Sequence, residues 1–173
     1  REDIFAAMRR KETFATSGPR IKVRLFAGYD YPQDIYQRSD FATLAYAQGV
    51  PMGGDLDLQS RRSPTFLAQA SRDANSAGLQ RMQIIRGWVE GGELKEKIFD
   101  IACDNGLQNA STYRCADNGA EVDVSSCEIP DNYGDAQFDV VWTDPEFAPD
   151  RRAFYSARVI ENPTCRWSTW AAN

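Results

Sequence analysis

The sequence predicts a mainly β protein: an antiparallel β-sandwich of roughly immunoglobulin-like size with a short helix at its N-terminus. Two observations lead to this prediction. Apolar residues recur with helical spacing before the segment TSGP, whereas short alternating or apolar segments follow it along the chain. Turn residues separate these later segments, and about seven short strands with turn residues between them are typical of a sandwich.

The first predicted elements are a helix and a strand. The helix covers residues 2–12, and Gly18 and Pro19 stop its pattern. The segment IKVRLFAGYDY then alternates apolar and charged residues, which predicts a half-buried strand. A long connection follows, in which one helical turn is predicted around residues 41–46.

The remaining segments predict the other strands. PTFLAQASRD places Phe66, Ala68 and Ala70 on one face of a strand. LQRMQIIRGWVE and LKEKIFDIAC are separated by Gly91 and Gly92, so they predict an antiparallel hairpin. Three more strands are predicted in AEVDVSSCEI, AQFDVVWTDP and RAFYSARVIENP.

Length and composition limit the kinds of partner and site that this chain can have. A chain of 173 residues is most simply one domain, and it buries roughly 70 % of its unfolded surface. The formal net charge of −5 argues against a nucleic-acid partner, and no apolar run is long enough to span a membrane. Histidine is absent from the sequence, which removes the commonest general base and the commonest first-row metal ligand. No metal site is therefore predicted within this chain.

The four cysteines, Cys103, Cys115, Cys127 and Cys165, are interpreted as two disulfides. They are separated by eleven, eleven and thirty-seven residues, unlike the close pairs of zinc cages and redox motifs. Free structural thiols are the alternative. Four cysteines allow three pairings, and the sequence does not choose among them, although one bridge in the loop region and one to Cys165 would use all four. Disulfides predict an oxidising compartment.

The segment ATSGPR is the candidate ligand-binding site. Thr16 and Ser17 offer hydroxyl groups, and the planar guanidinium of Arg20 suits a phosphate or a carboxylate. The alternative is a helix stop in which these groups serve the local backbone. Asp144 and Glu146 are interpreted as turn formers and surface pairs rather than catalytic residues.

The four tryptophans divide into two groups. Trp88 and Trp142 lie within predicted strands, so we expect them to pack in the core. Trp167 and Trp170 lie near the end of the chain and are better candidates for docking onto another domain. Together with the apolar face of the first helix, they predict an exposed apolar surface and self-association.

Five segments resemble the C-terminal part of a bacterial family, domain-of-unknown-function family 3604. They are RRKETFATSGPRIKVRLFAG, GVPMGGDL, LQRMQIIRGWVEGGELKEKIFDIACDNG, FDVVWTDPEF and AFYSARVIENPTCRWSTW. The resemblance implies a parent whose first half is a PHP-type (polymerase-and-histidinol-phosphatase) barrel, in which His and acidic clusters hold divalent metals for phosphoester hydrolysis. None of those histidine motifs is present here.

The resemblance therefore implies a division of the chain and a role. Residues 1–18 would be the tail of a preceding metallohydrolase-like domain, and residues 19–173 the β-sandwich. The chain would be non-catalytic and without a cofactor, and it would pack against the catalytic half of a periplasmic or extracellular bacterial protein. The catalytic half would hold the divalent metal. The alternative is a free-standing module that binds a carbohydrate or another small polar ligand.

Overall fold

Two antiparallel sheets pack face to face in a computed structural model, which describes residues 1–59, 61–106, 108–129 and 132–172. The helical elements are α1 (Glu2–Arg9), a 3-10 turn (Ile35–Gln37), α2 (Phe41–Gln48) and α3 (Trp167–Trp170). The strands are β1 (Lys22–Gly28), β2 (Gly49–Pro51), β3 (Thr65–Ser71), β4 (Leu79–Glu90), β5 (Glu93–Cys103), β6 (Gln108–Asn109), β7 (Arg114–Cys115), β8 (Gln137–Thr143) and β9 (Ala153–Glu161).

The strand order confirms the predicted antiparallel β fold. Sheet A has the order β2-β1-β3-β8, sheet B has the order β5-β4-β9, and β6 and β7 form a small separate ribbon. The predicted hairpin is formed by β4 and β5, which pair from Glu90↔Glu93 to Arg81↔Cys103. Each described pairing is antiparallel.

The main core lies between the two sheets. Phe66, Ala68 and Ala70 of β3 all face it, as their alternation predicted. Met82 and Ile84 of β4 face it from sheet B and are fully buried. Every second residue along these strands therefore faces the opposite sheet, and these side chains form the interface between the two sheets.

A helical layer covers part of the outer face of sheet A. Phe26 and Leu67 point outward from this sheet and form a second buried cluster with Ile35, Ala45 and Tyr31. The Tyr31 hydroxyl donates a hydrogen bond to the Ala45 carbonyl at 3.2 Å. Burial raises the pKa of Tyr31 to about 12. The helical turn predicted in this connection is present as α2.

The strand predicted at residues 120–129 is wrong. The Asp123 side chain accepts hydrogen bonds from the amide and the hydroxyl of Ser125, and the Cys127 amide bonds to the Asp123 carbonyl at 2.7 Å. Cys127 also has a φ of 55°. These bonds form a turn that competes with an extended strand, as Asp and Ser side chains commonly do.

Two disulfides confirm the interpretation of the cysteines. Cys103 pairs with Cys115, and Cys127 pairs with Cys165. The first bridge ties the end of β5 to β7, and the second ties the loop before β8 to the segment after β9. Disulfides are typical of proteins that fold in an oxidising compartment. None of the helices in the described ranges has the length and hydrophobicity required to cross a membrane.

Candidate interaction surfaces

Helix α1 presents an apolar face that is largely exposed. Ile4, Phe5 and Met8 are 68 %, 64 % and 64 % exposed, and no residue of the helix is buried. The Arg9 guanidinium lies 5.9 Å from the centre of the Phe5 ring. Large apolar side chains grouped on one exposed face usually mark an interaction site.

The helix is attached to the sandwich at its C-terminal end. The Tyr46 hydroxyl of α2 donates a hydrogen bond to the Glu12 carboxylate just after α1. Gly53 lies so close to the backbone of Arg10 and Lys11 that any side chain there would overlap it. Close backbone approach of this kind requires glycine. These contacts attach the C-terminal end of α1 to the sandwich, while the apolar face of the helix remains exposed.

The short helix α3 exposes the other apolar group. Trp167 is 82 % exposed and Trp170 is 52 % exposed. The Cys127–Cys165 disulfide lies two residues before Trp167, so a covalent bond fixes the base of this segment. Tryptophan offers a large contact area with little rotamer entropy, and such exposure is unusual without a partner.

The predicted ligand-binding residues Thr16, Ser17 and Arg20 lie in one exposed loop before β1. The backbone amides of Asn75 and Arg20 donate to the Asp73 carboxylate at 3.0 and 2.7 Å, and they hold its pKa below the ordinary value. This contact uses the Arg20 amide and leaves its guanidinium at the surface. Binding of a phosphate or carboxylate by this loop remains a prediction.

A groove of about 620 Å³ lies at the hairpin end of sheet B. Val89, Leu94 and Phe154 line it and are all exposed. The Phe154 ring lies directly over Gly87, where a Cβ would overlap it. The end of the ring therefore lies against bare backbone. Segment 150–152 contributes one aspartate and two arginines to the rim.

The tryptophan beside this groove is held by two cations. The guanidinium of Arg86 lies 4.8 Å from the centre of the Trp88 ring, and that of Arg151 lies 5.2 Å from it. Trp88 is half-buried, and Trp142 packs against the main core cluster. The prediction of core packing therefore holds for Trp142, whereas the contacts of Trp88 include two guanidinium groups.

A buried ion pair closes this end of the core. Arg86 donates to Asp144 at 2.8 Å, and the Tyr155 hydroxyl donates to the same carboxylate at 2.7 Å. Burial and then this bond to the carboxylate raise the pKa of Tyr155. The interpretation of Asp144 as part of a surface pair is wrong, because Asp144 is only 2 % exposed. The turn interpretation of Asp144 is confirmed, since its carboxylate accepts a hydrogen bond from the Glu146 amide at 2.9 Å, and the partly exposed Glu146 forms ion pairs with Lys97 and Arg86.

A second buried carboxylate, Asp100, was not singled out from the sequence. Gln83 donates to it at 2.6 Å, and the Cys115 amide donates to its other oxygen at 2.7 Å. The guanidinium groups of Arg81 and Arg114 lie 3.6 Å from it. The sequence does carry a signal for this site, because Asp100 is a charged residue within the apolar segment IFDIAC. A buried carboxylate at such a position needs hydrogen-bonding or charged partners.

Comparison with known protein families gives a match over the full sequence. The model of a family described as "Protein of unknown function (DUF3604)" matches residues 1–173. No curated protein and no solved structure matches the chain. Within the described ranges, no group of three or more His, Cys, Asp or Glu residues is placed to hold a metal ion.

Proposed function

Because this chain belongs to the DUF3604 family, we propose that it is the non-catalytic C-terminal β-sandwich of a PHP-type metal-dependent phosphoesterase-like protein. In this proposal the sandwich packs against the catalytic half and helps to complete it. The histidines of a PHP-type metal cluster would all come from that other half, since this sequence has none. The two disulfides support export of the parent to the periplasm or beyond.

The observation that carries the proposal is the pair of apolar surfaces on α1 and α3. Ile4, Phe5 and Met8 on one side, and Trp167 and Trp170 on the other, are exposed and belong to neither buried cluster. Burying side chains of this size contributes about 1.5–3 kcal/mol each. A docked catalytic half would supply that burial.

The test combines this chain with the separately expressed catalytic half of the parent. We expect the two to form a complex, and the Trp167→Ser/Trp170→Ser variant to weaken it at least about tenfold, since such aromatic anchors often dominate an interface. Leu58→Ser, which removes another exposed apolar side chain, is the matched control. The chain alone should hydrolyse no phosphoester in a metal-dependent way. Failure of the two parts to associate, or hydrolysis by this chain alone, would refute the proposal.

The groove beside Phe154 supports a second candidate function, binding of a carbohydrate or another small polar ligand. A flat aromatic ring that is 56 % exposed can stack on a sugar, and the arginines at the rim can donate hydrogen bonds. Titration with neutral and acidic oligosaccharides, followed by tryptophan fluorescence, tests this function. Binding should be lost in Phe154→Ala and kept in Leu58→Ala. No binding across the panel would exclude this candidate for the sugars tried.

A further inference from the structure

Strand β9 leaves one edge of sheet B unpaired. It pairs with β4 from Trp88↔Ala153 to Leu79↔Glu161. Among the described residues, no other strand pairs with it, and no further backbone hydrogen bond is made by Ala153–Glu161. An edge of this kind presents a row of N–H and C=O groups to any chain that can add a strand.

The other sheet edges carry features that discourage pairing. β2 has three residues and ends at Pro51. β5 begins with the charged segment ELKEK, and its far half lies beside the ribbon of β6 and β7. β8 carries Asp139, whose carboxylate accepts hydrogen bonds from Gln69 and Gln137. Short length, proline and charge are the usual protections of an edge strand.

β9 lacks these protections over most of its length. It has nine residues, AFYSARVIE, without glycine or proline. Its central charged residue, Arg158, donates to the Gln83 side chain of the neighbouring strand at 2.7 Å, so its guanidinium lies toward the middle of the sheet rather than beyond the edge. Tyr155, Ala157 and Val159 pack on the core but remain only half-buried. A neighbouring strand would bury them further.

We propose that β9 pairs antiparallel with β9 of a second copy of this chain, so that the two B sheets become one continuous six-stranded sheet. The charges of the strand favour this occupant. β9 is preceded by Arg151, which pairs with Glu90 of its own chain, and by the exposed Arg152, and it ends at Glu161. An antiparallel copy therefore brings the basic end of each strand beside the acidic end of the other.

The side chains select a register centred on Ala157. Residues that oppose each other across paired strands lie on the same face. With Ala157 on the two-fold axis, Phe154 opposes Ile160 on the outer face. Tyr155 then opposes Val159 on the core face. Both are pairs of an aromatic with a β-branched residue, a combination that stabilises paired strands. This association is independent of the surfaces on α1 and α3.

Sedimentation of the full chain across a concentration range tests the proposal. We expect a reversible dimer whose dissociation constant rises at least about tenfold in Ser156→Lys, since the new lysine would face Arg158 of the second copy. Gln137→Lys adds the same charge to the edge strand β8 and should leave the dimer unchanged. A monomeric wild-type chain, or a dimer that Ser156→Lys leaves intact, overturns the proposal.

Cysteine cross-linking tests the register. Ala157→Cys should give a covalent dimer on mild oxidation, because its Cβ atoms would be about 5 Å apart across the axis. Ser156→Cys is more exposed but lies off the axis, so it should remain largely uncross-linked. Preferential cross-linking of Ser156→Cys overturns this register. Mass measurement confirms that the native disulfides are retained in each variant.

Discussion

The backbone amide of Cys115 donates a hydrogen bond to the carboxylate of Asp100 at 2.7 Å. Cys115 is also bonded to Cys103, three residues beyond Asp100 on β5. The ribbon of β6 and β7 is therefore held against sheet B by a covalent bond and by a carboxylate that is fully buried. This contact positions the Cys103–Cys115 disulfide, which joins the end of β5 to β7.

Asp100→Asn should destabilise the protein by about 1–3 kcal/mol, because the amide turns a donor toward groups that also donate. The groups affected are the Cys115 amide and Gln83, and the charge opposite Arg81 and Arg114 is lost as well. Chemical denaturation measures the change. Asp150→Asn removes a largely exposed partner of Arg61 and should stay within about 0.5 kcal/mol of the wild type. Equal effects at the two sites would contradict this role for Asp100.

The two disulfides should differ in their contribution to stability. Their sequence separations are 12 and 38 residues. In the chain-entropy model, closing these loops stabilises the folded protein by about 3 and about 4 kcal/mol respectively. The double serine variant at Cys127 and Cys165 should therefore unfold at lower denaturant than the one at Cys103 and Cys115. Alkylation of the unreduced wild-type protein under denaturing conditions should modify none of the four thiols.

The elements that could be predicted from the sequence are those with strong local signals. Strands β4 and β5 are long, contain several β-branched and aromatic residues, and are joined by two glycines, so their hairpin follows from local pattern alone. The segment at 120–129 misleads because its alternation resembles a strand, whereas Asp123 bonds to the backbone and hydroxyl of Ser125. β2, β6 and β7 have two or three residues each and are defined only by their partners.

The exposed apolar surfaces could be predicted from the sequence, whereas the long-range side-chain pairings could not. The exposed faces of α1 and α3 follow from apolar residues that the predicted sandwich has no room to bury. The pairing of Arg86 with Asp144 does not, because the residues are 58 positions apart and meet only when β4 and the turn after β8 come together. The choice of Cys165 as the partner of Cys127 is likewise a tertiary result.

Breaking the buried ion pair should be costly. The side chains of Arg86 and Asp144 are 7 % and 0 % exposed. Arg86→Met leaves the Asp144 carboxylate buried with neutral donors only, and we expect a loss of about 3–5 kcal/mol in the free energy of unfolding. Replacing both residues, as Arg86→Met/Asp144→Leu, should cost less than the sum of the single changes. Additive effects in a double-mutant cycle would show that the pair does not interact.

The pH dependence of stability should reveal the carboxyl group of Glu161. Burial, with a smaller contribution from the charge of Asp73, raises its pKa above the ordinary 4.5, and one of its oxygens is buried without a hydrogen-bond partner in the described part of the chain. The folded state thus binds the Glu161 proton more tightly than the unfolded state. The stability from this group is present below the ordinary value and is lost as the pH rises through the folded pKa.

Glu161→Gln removes this effect. The melting temperature of the variant minus that of the wild type should therefore increase between about pH 4 and about pH 7, because only the wild type must ionise a half-buried carboxyl group. Subtracting the wild type at each pH cancels the carboxylates whose pKa values are lowered by partners other than Glu161, such as Asp40 beside Arg38. The same substitution at Glu96, exposed on β5, is the control and should give a flat difference. A flat or falling difference for Glu161→Gln would mean that this carboxylate is solvated in the folded protein.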